Sequence, residues 1–424
     1  MMDEMPRVLL VLPTATYRAD AFLAAARRLG VEVTTASDQA QVLADVMGDR
    51  FVRVPLEDPD AGAAVIAALD GRRALDAVVA VDDQGLLTAA AAAARLGLAH
   101  NPPDALRATR DKAEMRTRLA AAEVPQPEFT VCTADDGDAL VAAVERAARR
   151  RGGPVVVKPT GLSASRGVIR ADAPDGAGRA ARRIAALLAG IGEPLRVVVE
   201  RYVPGDEVAL EGLLSDGVLS TLAVFDKPDP LVGPFFEETI YTTPSLQARP
   251  VLDALEIAVA QAVAALGLRH GPLHAEARLE RTPAGVVPRI LEVAARTIGG
   301  RCAAALSFAT GTTLEEVVLA HALGRGTDLR PSPGASGVMM IPIPATGRLV
   351  GVEGRERAGK VPLITGLEIT VPPGGRVVAL PEGDRYLGFL FARGQSPGAV
   401  ADALRAAHGE LEIHIDPDPG QGAP

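Results

Sequence analysis

The chain has 424 residues, which is enough for about three domains of ordinary size. Its composition, with 48% hydrophobic and 23% charged residues, is globular and excludes wholesale disorder. The formal net charge of −9, without a dense run of Lys or Arg, argues against nucleic acid or a membrane surface as partner. Two distant cysteines exclude a disulfide framework and a zinc cluster. No segment resembles a signal peptide or a membrane helix, so we expect a cytoplasmic protein.

The first hundred residues alternate between short apolar strands and Ala-rich helices. The spacing predicts strands at 7–12, 31–35, 51–54 and 76–81, and helices at 19–29, 61–69 and 84–96. Such alternation predicts an α/β domain with a doubly wound parallel sheet. The pair Pro102–Pro103 breaks the pattern, so this domain is expected to cover residues 1–105.

The rest of the chain divides into two further units. The spacing predicts helices at 112–122, 139–151, 179–188, 251–266 and 314–323, and strands at 154–158, 168–170, 195–201, 207–214, 218–225 and 273–293. A Gly/Pro/Ser-rich stretch at 324–337 indicates a linker. Short strands and one helix at 397–408 follow it. We therefore expect a middle unit at 106–325 and a small C-terminal α/β domain at 335–424.

Lysine is rare in this chain, and one lysine lies in a suggestive segment. The 44 basic residues include only four lysines, so each is a candidate for a role that needs a compact positive charge. Lys158 ends an apolar strand, and the small-residue loop 160–167 that follows lets backbone N–H groups approach an anion. A flexible hairpin loop beside a lysine that reaches solvent is the structural alternative.

A second segment, 197–207, is an apolar strand that breaks at Pro204–Gly205 and resumes with the acidic residue Glu207. An ordinary bent strand has the same appearance. Taken alone, this segment therefore does not separate a binding role from a structural one.

The hairpin at 273–293 carries the strongest signal. If its turn is centred on Ala284, Glu276 lies opposite Glu292, with the two side chains about 5 Å apart. The other face is then apolar and consists of Leu273, Ala275, Ala277, Leu279, Leu291 and Val293. Facing carboxylates repel each other unless a cation lies between them, and oxygen ligands without His or Cys suit Mg²⁺. The alternatives are Arg278 as counter-ion on a solvated face, or a bulge in the long turn.

Together these segments resemble the ATP-grasp superfamily, and within it the carboxylate–amine ligases that include the L-amino-acid ligases. Asp111–Lys112, the Lys158 loop, the segment Glu200–Glu207 and the hairpin up to Arg296 occur in the family's order. The stretch 337–392 is similar to the C-terminal domain of one subgroup. The resemblance implies an ATP-grasp fold with α+β lid and C-terminal parts, and a mobile lid subdomain at about 121–194 within the unit 106–325.

The resemblance also implies how ATP would be bound. Lys112 and Lys158 would hold its phosphates, beneath the loop that contains Ser163, Ser165 and Gly167. Glu200 and the backbones of Tyr202 and Val203 would meet the adenine, and Glu207 would meet the ribose.

Metal binding and catalysis follow from the same resemblance. Glu276 and Glu292 would bind one or two Mg²⁺ ions, with Mn²⁺ as an alternative, and Lys158 and Arg296 would be the catalytic residues. Arg296 would contact the transferred phosphoryl group and the tetrahedral intermediate. Many relatives carry Asn two positions after the second glutamate, where this chain has Ala294, so one metal ligand is missing.

The implied activity is an ADP-forming ligase that joins a small, amino-acid-like carboxylate to an amine. Asp82 and Asp83 follow a predicted strand of the parallel sheet, where such sheets bind ligands, although helix capping explains them equally well. Glu238, His274 and Arg301 are further candidates for substrate contacts. A carboxylase or synthetase of nucleotide metabolism and a non-catalytic nucleotide-binding module are the alternatives, and a homodimer stays open.

Overall fold

A computed structural model describes residues 5–13, 16, 18–39, 48–71, 73–308 and 311–418. Its strands are β1 (Arg7–Val11), β2 (Glu32–Ser37), β3 (Phe51–Arg53), β4 (Ala77–Ala80), β5 (Phe129–Thr133), β6 (Val155–Pro159), β7 (Ile169–Ala171), β8 (Arg196–Arg201), β9 (Asp206–Ser215), β10 (Val218–Lys227), β11 (Ile240–Thr243), β12 (Gly271–Thr282), β13 (Gly285–Ala294), β14 (Ala335–Ile341), β15 (Gly347–Glu353), β16 (Ile364–Ile369), β17 (Arg376–Val377), β18 (Gly388–Gly394) and β19 (Glu412–Pro417). Its α-helices are α1 (Ala19–Leu29), α2 (Pro59–Asp70), α3 (Leu86–Leu96), α4 (Pro103–Arg110), α5 (Lys112–Ala121), α6 (Gly137–Arg151), α7 (Pro174–Ile191), α8 (Arg249–Leu266), α9 (Leu314–Ala322), α10 (Arg355–Gly359) and α11 (Pro397–Gly409).

The N-terminal part contains the predicted parallel sheet, with strand order β3-β2-β1-β4. Alternate residues of β1 enter two different cores. Val8 and Leu10 pack with α1 on one face, whereas Leu9 and Val11 pack with α2 and α3 on the other. Both faces of the sheet are therefore covered by helices, which explains why β1 is apolar from Val8 to Val11. The carboxyl end of β4 leads directly to Asp82 and Asp83.

A separate antiparallel sheet with order β5-β8-β6-β7 carries α6 and α7 on one face. Buried valines of β6 and β8 form its core together with the Ala-rich sides of the two helices. Lys158 lies near the end of β6 and Glu200 near the end of β8, in two strands that pair directly. The antiparallel register pairs Val156 with Glu200 and Lys158 with Val198, so Lys158 and Glu200 lie on the same face of the sheet in diagonal positions.

The largest sheet has eight strands in the order β13-β12-β9-β10-β11-β14-β18-β16. Its pairings are all antiparallel, and α8 packs against β13 in the core formed with β9 and β12. The strands β14, β16 and β18 come from the last ninety residues, and β11 pairs with β14 over Ile240–Thr243. The four-residue strand β11 was not predicted from the sequence, because it is too short to show a period.

The predicted hairpin forms, and Glu276 pairs with Glu292. Near the turn, however, the register is shifted by one residue, because Thr282 pairs directly with Gly285 across a two-residue loop. A bulge after Glu276 compensates for the shift, so Ala277 pairs with Ile290. Leu291 is the extra residue of the bulge and lines a cavity, which corrects its assignment to the apolar face. Ile290 is buried there instead.

The helices α4 and α10 were not predicted from the sequence, and for α4 the reason is identifiable. Pro102–Pro103 was taken only as the end of a domain, yet α4 begins at Pro103 and runs to Arg110. Proline is favoured in the first turn of a helix, because its missing N–H would have no partner there. Among the described residues, no helix is long and apolar enough to cross a membrane.

Candidate functional site

A cavity of about 690 Å³ lies where the N-terminal part, the β5–β8 sheet, the eight-stranded sheet and the C-terminal strands meet. Most of the site residues predicted from the sequence line it: Asp82, Asp83, Lys112, Lys158, Ser163, Ser165, Glu200, Tyr202, Val203, Glu207, Glu238, His274, Glu276, Glu292 and Arg296. Gly167 and Arg301 are not among the lining residues. Arg301 instead pairs with Glu368 of β16, at 3.1 Å.

At one end of the cavity a buried carboxylate joins two cations. Glu200 accepts a hydrogen bond from Arg116 Nε at 2.7 Å, and its second oxygen lies 2.9 Å from Lys158 Nζ. Burial alone would raise the pKa of Glu200, but the charges of Arg116 and Lys158 lower it to about 2. Glu200 therefore stays ionised and positions Lys158, whose ammonium lies at the cavity wall.

Lys112 connects the cavity to the loop after β6. Its Nζ donates to the carbonyl oxygen of Leu162 at 2.7 Å and lies 3.3 Å from Glu292. Its backbone N–H donates to the carbonyl oxygen of Thr160 at 2.9 Å. Asp111 caps the helix by accepting from the backbone N–H groups of Ala113 and Glu114. The start of α5 thus holds one lysine between the loop and a predicted metal ligand.

The carboxylates on the large sheet gather around Lys227. Its Nζ lies 2.7 Å from Glu207, 2.7 Å from Glu238 and 3.0 Å from Glu276, and 4.9 Å from the ring centre of Tyr241. Burial would lower the pKa of Lys227, but the three carboxylates raise it well above its usual value. Each of the two facing glutamates thus has its own lysine, since Glu276 pairs with Lys227 and Glu292 with Lys112.

His274 is bound between two glutamates. Its Nδ1 contacts Glu211, and its Nε2 lies 3.3 Å from Glu276. Burial would lower the pKa of His274, but the charge of Glu211 and hydrogen bonds to both carboxylates raise it to about 10. The imidazole is therefore a cation at neutral pH, and it adds positive charge beside Glu276.

Arg296 follows the hairpin and reaches the N-terminal part. Its Nε donates to Asp83 at 2.6 Å, while Asp82 accepts from the backbone N–H of Asp83. Asp82 therefore caps a helical turn, which was the structural alternative for the two aspartates, whereas Asp83 pairs with Arg296. Burial would lower the pKa of Arg296, but the charge of Asp83 raises it, so the guanidinium stays protonated.

Arg278 was an alternative counter-ion for Glu276 and Glu292, and its contacts show that it pairs with Glu207 instead. Arg278 Nε donates to Glu207 at 2.9 Å, and Arg278 Nη1 donates to the carbonyl oxygen of Val203, also at 2.9 Å. Arg278 is therefore not the counter-ion of the facing glutamate pair. Both predicted nucleotide contacts, Glu207 and Val203, are held in place by this one side chain.

The loop after β6 is bound by the C-terminal part. The backbone N–H of Gly167 donates to the carbonyl oxygen of Pro381 at 2.7 Å, and Arg166 Nε donates to the carbonyl oxygen of Glu382 at 2.9 Å. The carboxylate of Glu382 also accepts two hydrogen bonds from Arg183 of α7. We name these interactions the lid contact. Because the backbone of Gly167 is bonded to Pro381, this residue faces the C-terminal part and does not line the cavity.

We expect ATP to restrain this loop and the lid contact to hold it in the absence of nucleotide. Hydrogen exchange at 160–167 should slow when a non-hydrolysable ATP analogue saturates the protein, because the loop offers little apolar area to anchor it. Replacing Glu382 with Ala should speed exchange there without nucleotide. Glu356→Ala, at an exposed residue of α10, is the matched control. Equal exchange in all four samples would contradict a lid role.

Two residues of this site were not predicted from the sequence. Arg116 is fully buried and lies one helical turn after Lys112, so the i, i+4 spacing on α5 was the available signal. Lys227 is one of the four lysines and belongs to the segment 225–228, which resembles the L-amino-acid ligase subgroup, but no role was predicted for it. Its role depends on three glutamates from three different segments, and no local pattern reveals such a grouping.

Three family profiles match the chain. They are described as ATP-grasp N-terminal domain for residues 23–100, ATP-grasp domain for 152–305, and L-amino acid ligase C-terminal domain 2 for 339–416. A curated relative is the alanine–anticapsin ligase of Bacillus subtilis, 26% identical over 274 residues, which are 60% of this chain and 55% of the relative. The chain thus spans about half the length of the curated relatives it matches.

Solved structures agree with these matches. The L-amino acid ligase from Bacillus licheniformis superimposes with a TM-score of 0.79 at 25% identity, over 97% of this chain and 100% of that one. The carboxyaminoimidazole ribonucleotide synthase from Aspergillus clavatus, solved with ATP, gives a TM-score of 0.71 at 14% identity over 96% and 99%. The second likeness concerns the fold alone. Residues 23–100 and 152–305 therefore match the ATP-grasp domains, and residues 339–416 match a C-terminal domain of the L-amino acid ligase type.

Proposed function

We propose that this protein is an ATP-dependent ligase that joins an amino-acid-like carboxylate to an amine and releases ADP and phosphate. The observation that carries the proposal is a single cavity lined by Lys112, Lys158, Glu276, Glu292 and Arg296. Two lysines suit phosphate groups, two glutamates suit a hard cation, and an arginine suits a carboxylate or an oxyanion. The C-terminal profile and the L-amino acid ligase structure support an amino acid as substrate.

The proposed reaction begins with attack of the substrate carboxylate on the γ-phosphorus of ATP, which forms an acyl phosphate and releases ADP. A carboxylate is a poor electrophile, so this step is needed before an amine can attack the carbonyl carbon. Lys112 and Lys158 offset the phosphate charge during transfer. The amine then forms the C–N bond, phosphate leaves, and Arg296 stabilises the oxyanion of the tetrahedral intermediate.

The residues fit the metal that this chemistry requires. Glu276 and Glu292 offer carboxylate oxygens from paired positions on neighbouring strands, and oxygen donors are what Mg²⁺ prefers. Mg²⁺, with Mn²⁺ as an alternative, would offset charge on the transferring phosphoryl group. Ala294 supplies no ligand, so Glu292 carries that side of the site. The loop 160–167 would exclude water, which would otherwise hydrolyse the acyl phosphate.

We expect ADP and phosphate as products, in amounts that depend on both organic substrates. The test measures phosphate release over pairwise mixtures of amino acids and small acids, followed by chromatography of the spent nucleotide. AMP as the main product would contradict the proposed acyl phosphate. Dependence on bicarbonate would identify a carboxylase instead, and binding of ATP without release of phosphate under any mixture would indicate a nucleotide-binding module.

Several further assignments belong to the same proposal. The unit 106–325, with its lid at about 121–194, would bind ATP between Glu200, Tyr202 and Val203, and the domains 1–105 and 335–424 would close the substrate end. Asp82, Glu238 and His274 would contact substrates there. The location in the cytoplasm and a homodimer stay predictions.

A further inference from the structure

The positive charges that line the cavity are almost all neutralised within the chain. Lys112, Lys158, Arg201, Arg278, Arg296 and Arg385 each lie within 4 Å of a carboxylate oxygen. Arg18 is different. Within the described ranges, no carboxylate forms an ion pair with its guanidinium, although the residue is only 7% exposed.

The contacts of Arg18 fix its position without neutralising it. Its Nη1 donates to the carbonyl oxygen of Val81 at 3.2 Å, and its Nη2 donates to the hydroxyl of Thr297. The guanidinium carbon lies 5.6 Å from the ring centre of Phe22. Both hydrogen-bond partners are neutral, and these two bonds use two of the five N–H donors of an arginine.

These neighbours place Arg18 at the substrate end of the cavity. Val81 immediately precedes Asp82 and Asp83, and Thr297 immediately follows Arg296. The residues proposed to bind adenine, Glu200 and Tyr202, belong to the opposite, lid-bearing part of the chain. A ligand group that meets Arg18 therefore lies beside Arg296, Asp82 and Asp83, and not beside the adenine of ATP.

A buried charge without a counter-ion is costly, so a site that keeps one is built for a ligand of opposite charge. We infer that Arg18 binds the carboxylate of a substrate amino acid. This inference rests on the proposed ligase function and extends it, because it assigns the N-terminal domain a part in recognising a free carboxylate. That carboxylate is supplied either by the acid before activation or by an amino acid that acts as the amine. The planar fork of arginine suits either one.

Binding without turnover tests the inference directly. Melting temperatures are measured with Mg²⁺ and a non-hydrolysable ATP analogue, in the presence of each protein L-amino acid or its α-carboxamide. In the wild type, at least one acid should raise the melting temperature more than its amide does. Arg18→Ala should abolish that difference, and Arg27→Ala, at an exposed arginine of α1, should preserve it.

Steady-state rates identify which carboxylate is bound. Arg18→Ala should raise KM about 100-fold for one organic substrate, while KM for ATP stays unchanged. A rise for the acid assigns Arg18 to the reacting carboxylate. A rise for the amine assigns it to the carboxylate that the product keeps. Arg18→Gln, which retains a donor for the carbonyl of Val81, repeats the test if the alanine variant does not fold.

Two outcomes would overturn the inference. One is an equal thermal shift by every acid and its amide in the wild type. The other is a variant that still discriminates between them, which would leave Arg18 as a structural link between Val81 and Thr297. If no substrate pair releases phosphate, the ligase proposal fails, but the comparison of acid with amide still decides the role of Arg18.

Discussion

Replacing Glu292 with glutamine should lower Mg²⁺-dependent turnover at least about 100-fold, because a charge is lost where the phosphoryl group is transferred. The substitution keeps the shape of the side chain and its place on β13. It should also reduce the rise in melting temperature caused by Mg-ATP, since stabilisation by a ligand follows its affinity. Rates and melting curves of the purified variant measure both effects.

The structure changes what this substitution should do to the free protein. From the sequence alone, Glu276 and Glu292 are expected to repel each other when no cation is bound, so removing one charge would leave the stability of the free protein equal or higher. Glu292 instead pairs with Lys112 at 3.3 Å, and its side chain is 25% exposed, so little repulsion is left to relieve. We expect the free energy of unfolding to change by less than about 1 kcal/mol. Glu356→Gln, at an exposed site, is the control. Near-normal turnover in Glu292→Gln would end the assignment of a metal ligand.

Replacing Lys227 with methionine should produce the largest loss of stability among the substitutions considered. The change leaves Glu207, Glu238 and Glu276 facing one another without their shared cation. Removing one partner of a buried ion pair typically costs about 3–5 kcal/mol. The melting temperature should therefore fall by about 5 °C or more. Lys360→Met removes an exposed lysine and should leave it unchanged.

Mg²⁺ provides a second measurement on the same variant. Oxygen atoms of the three carboxylates lie within 4.8 Å of one another, which is close enough to share one ion. Mg²⁺ alone should therefore raise the melting temperature of Lys227→Met more than that of the wild type. A small loss of stability in the variant, or no added effect of Mg²⁺, would show that Lys227 does not hold these carboxylates together.

The predictable features are those with local patterns. The apolar run of β1 and the helices beside it indicated a parallel sheet, and the turn at 282–285 indicated which residues of the hairpin face each other. The pairing of Glu276 with Glu292 was right, although the assumed register near the turn was not. Two deviations, a shorter loop and a bulge at Leu291, cancel at that one pair. A bulge has no clear signature in a single sequence.

The contacts that span long separations were not predictable. Arg116 meets Glu200 across 84 positions, and Arg18 meets Thr297 across 279. Helical or strand periodicity shows which face of an element is apolar, but not which distant side chain lies opposite it. The rarity of lysine indicated candidate site residues because it can be counted in the sequence without knowing which residues are in contact.

The continuous sheet has a consequence for exchanging parts between related proteins. Because β11 and β14 pair across Ile240–Thr243, the C-terminal strands are bonded to the middle of the chain rather than appended to it. A protein cut before residue 335 would expose the backbone N–H and C=O groups of β11 as a free strand edge, which invites association with other chains. In a chimera with the C-terminal domain of another protein, the imported domain must therefore supply a strand that pairs with β11, in addition to a linker of suitable length. Since Met340 of β14 and Phe389 of β18 line the cavity, an exchange of these strands changes the cavity wall together with the pairing to β11.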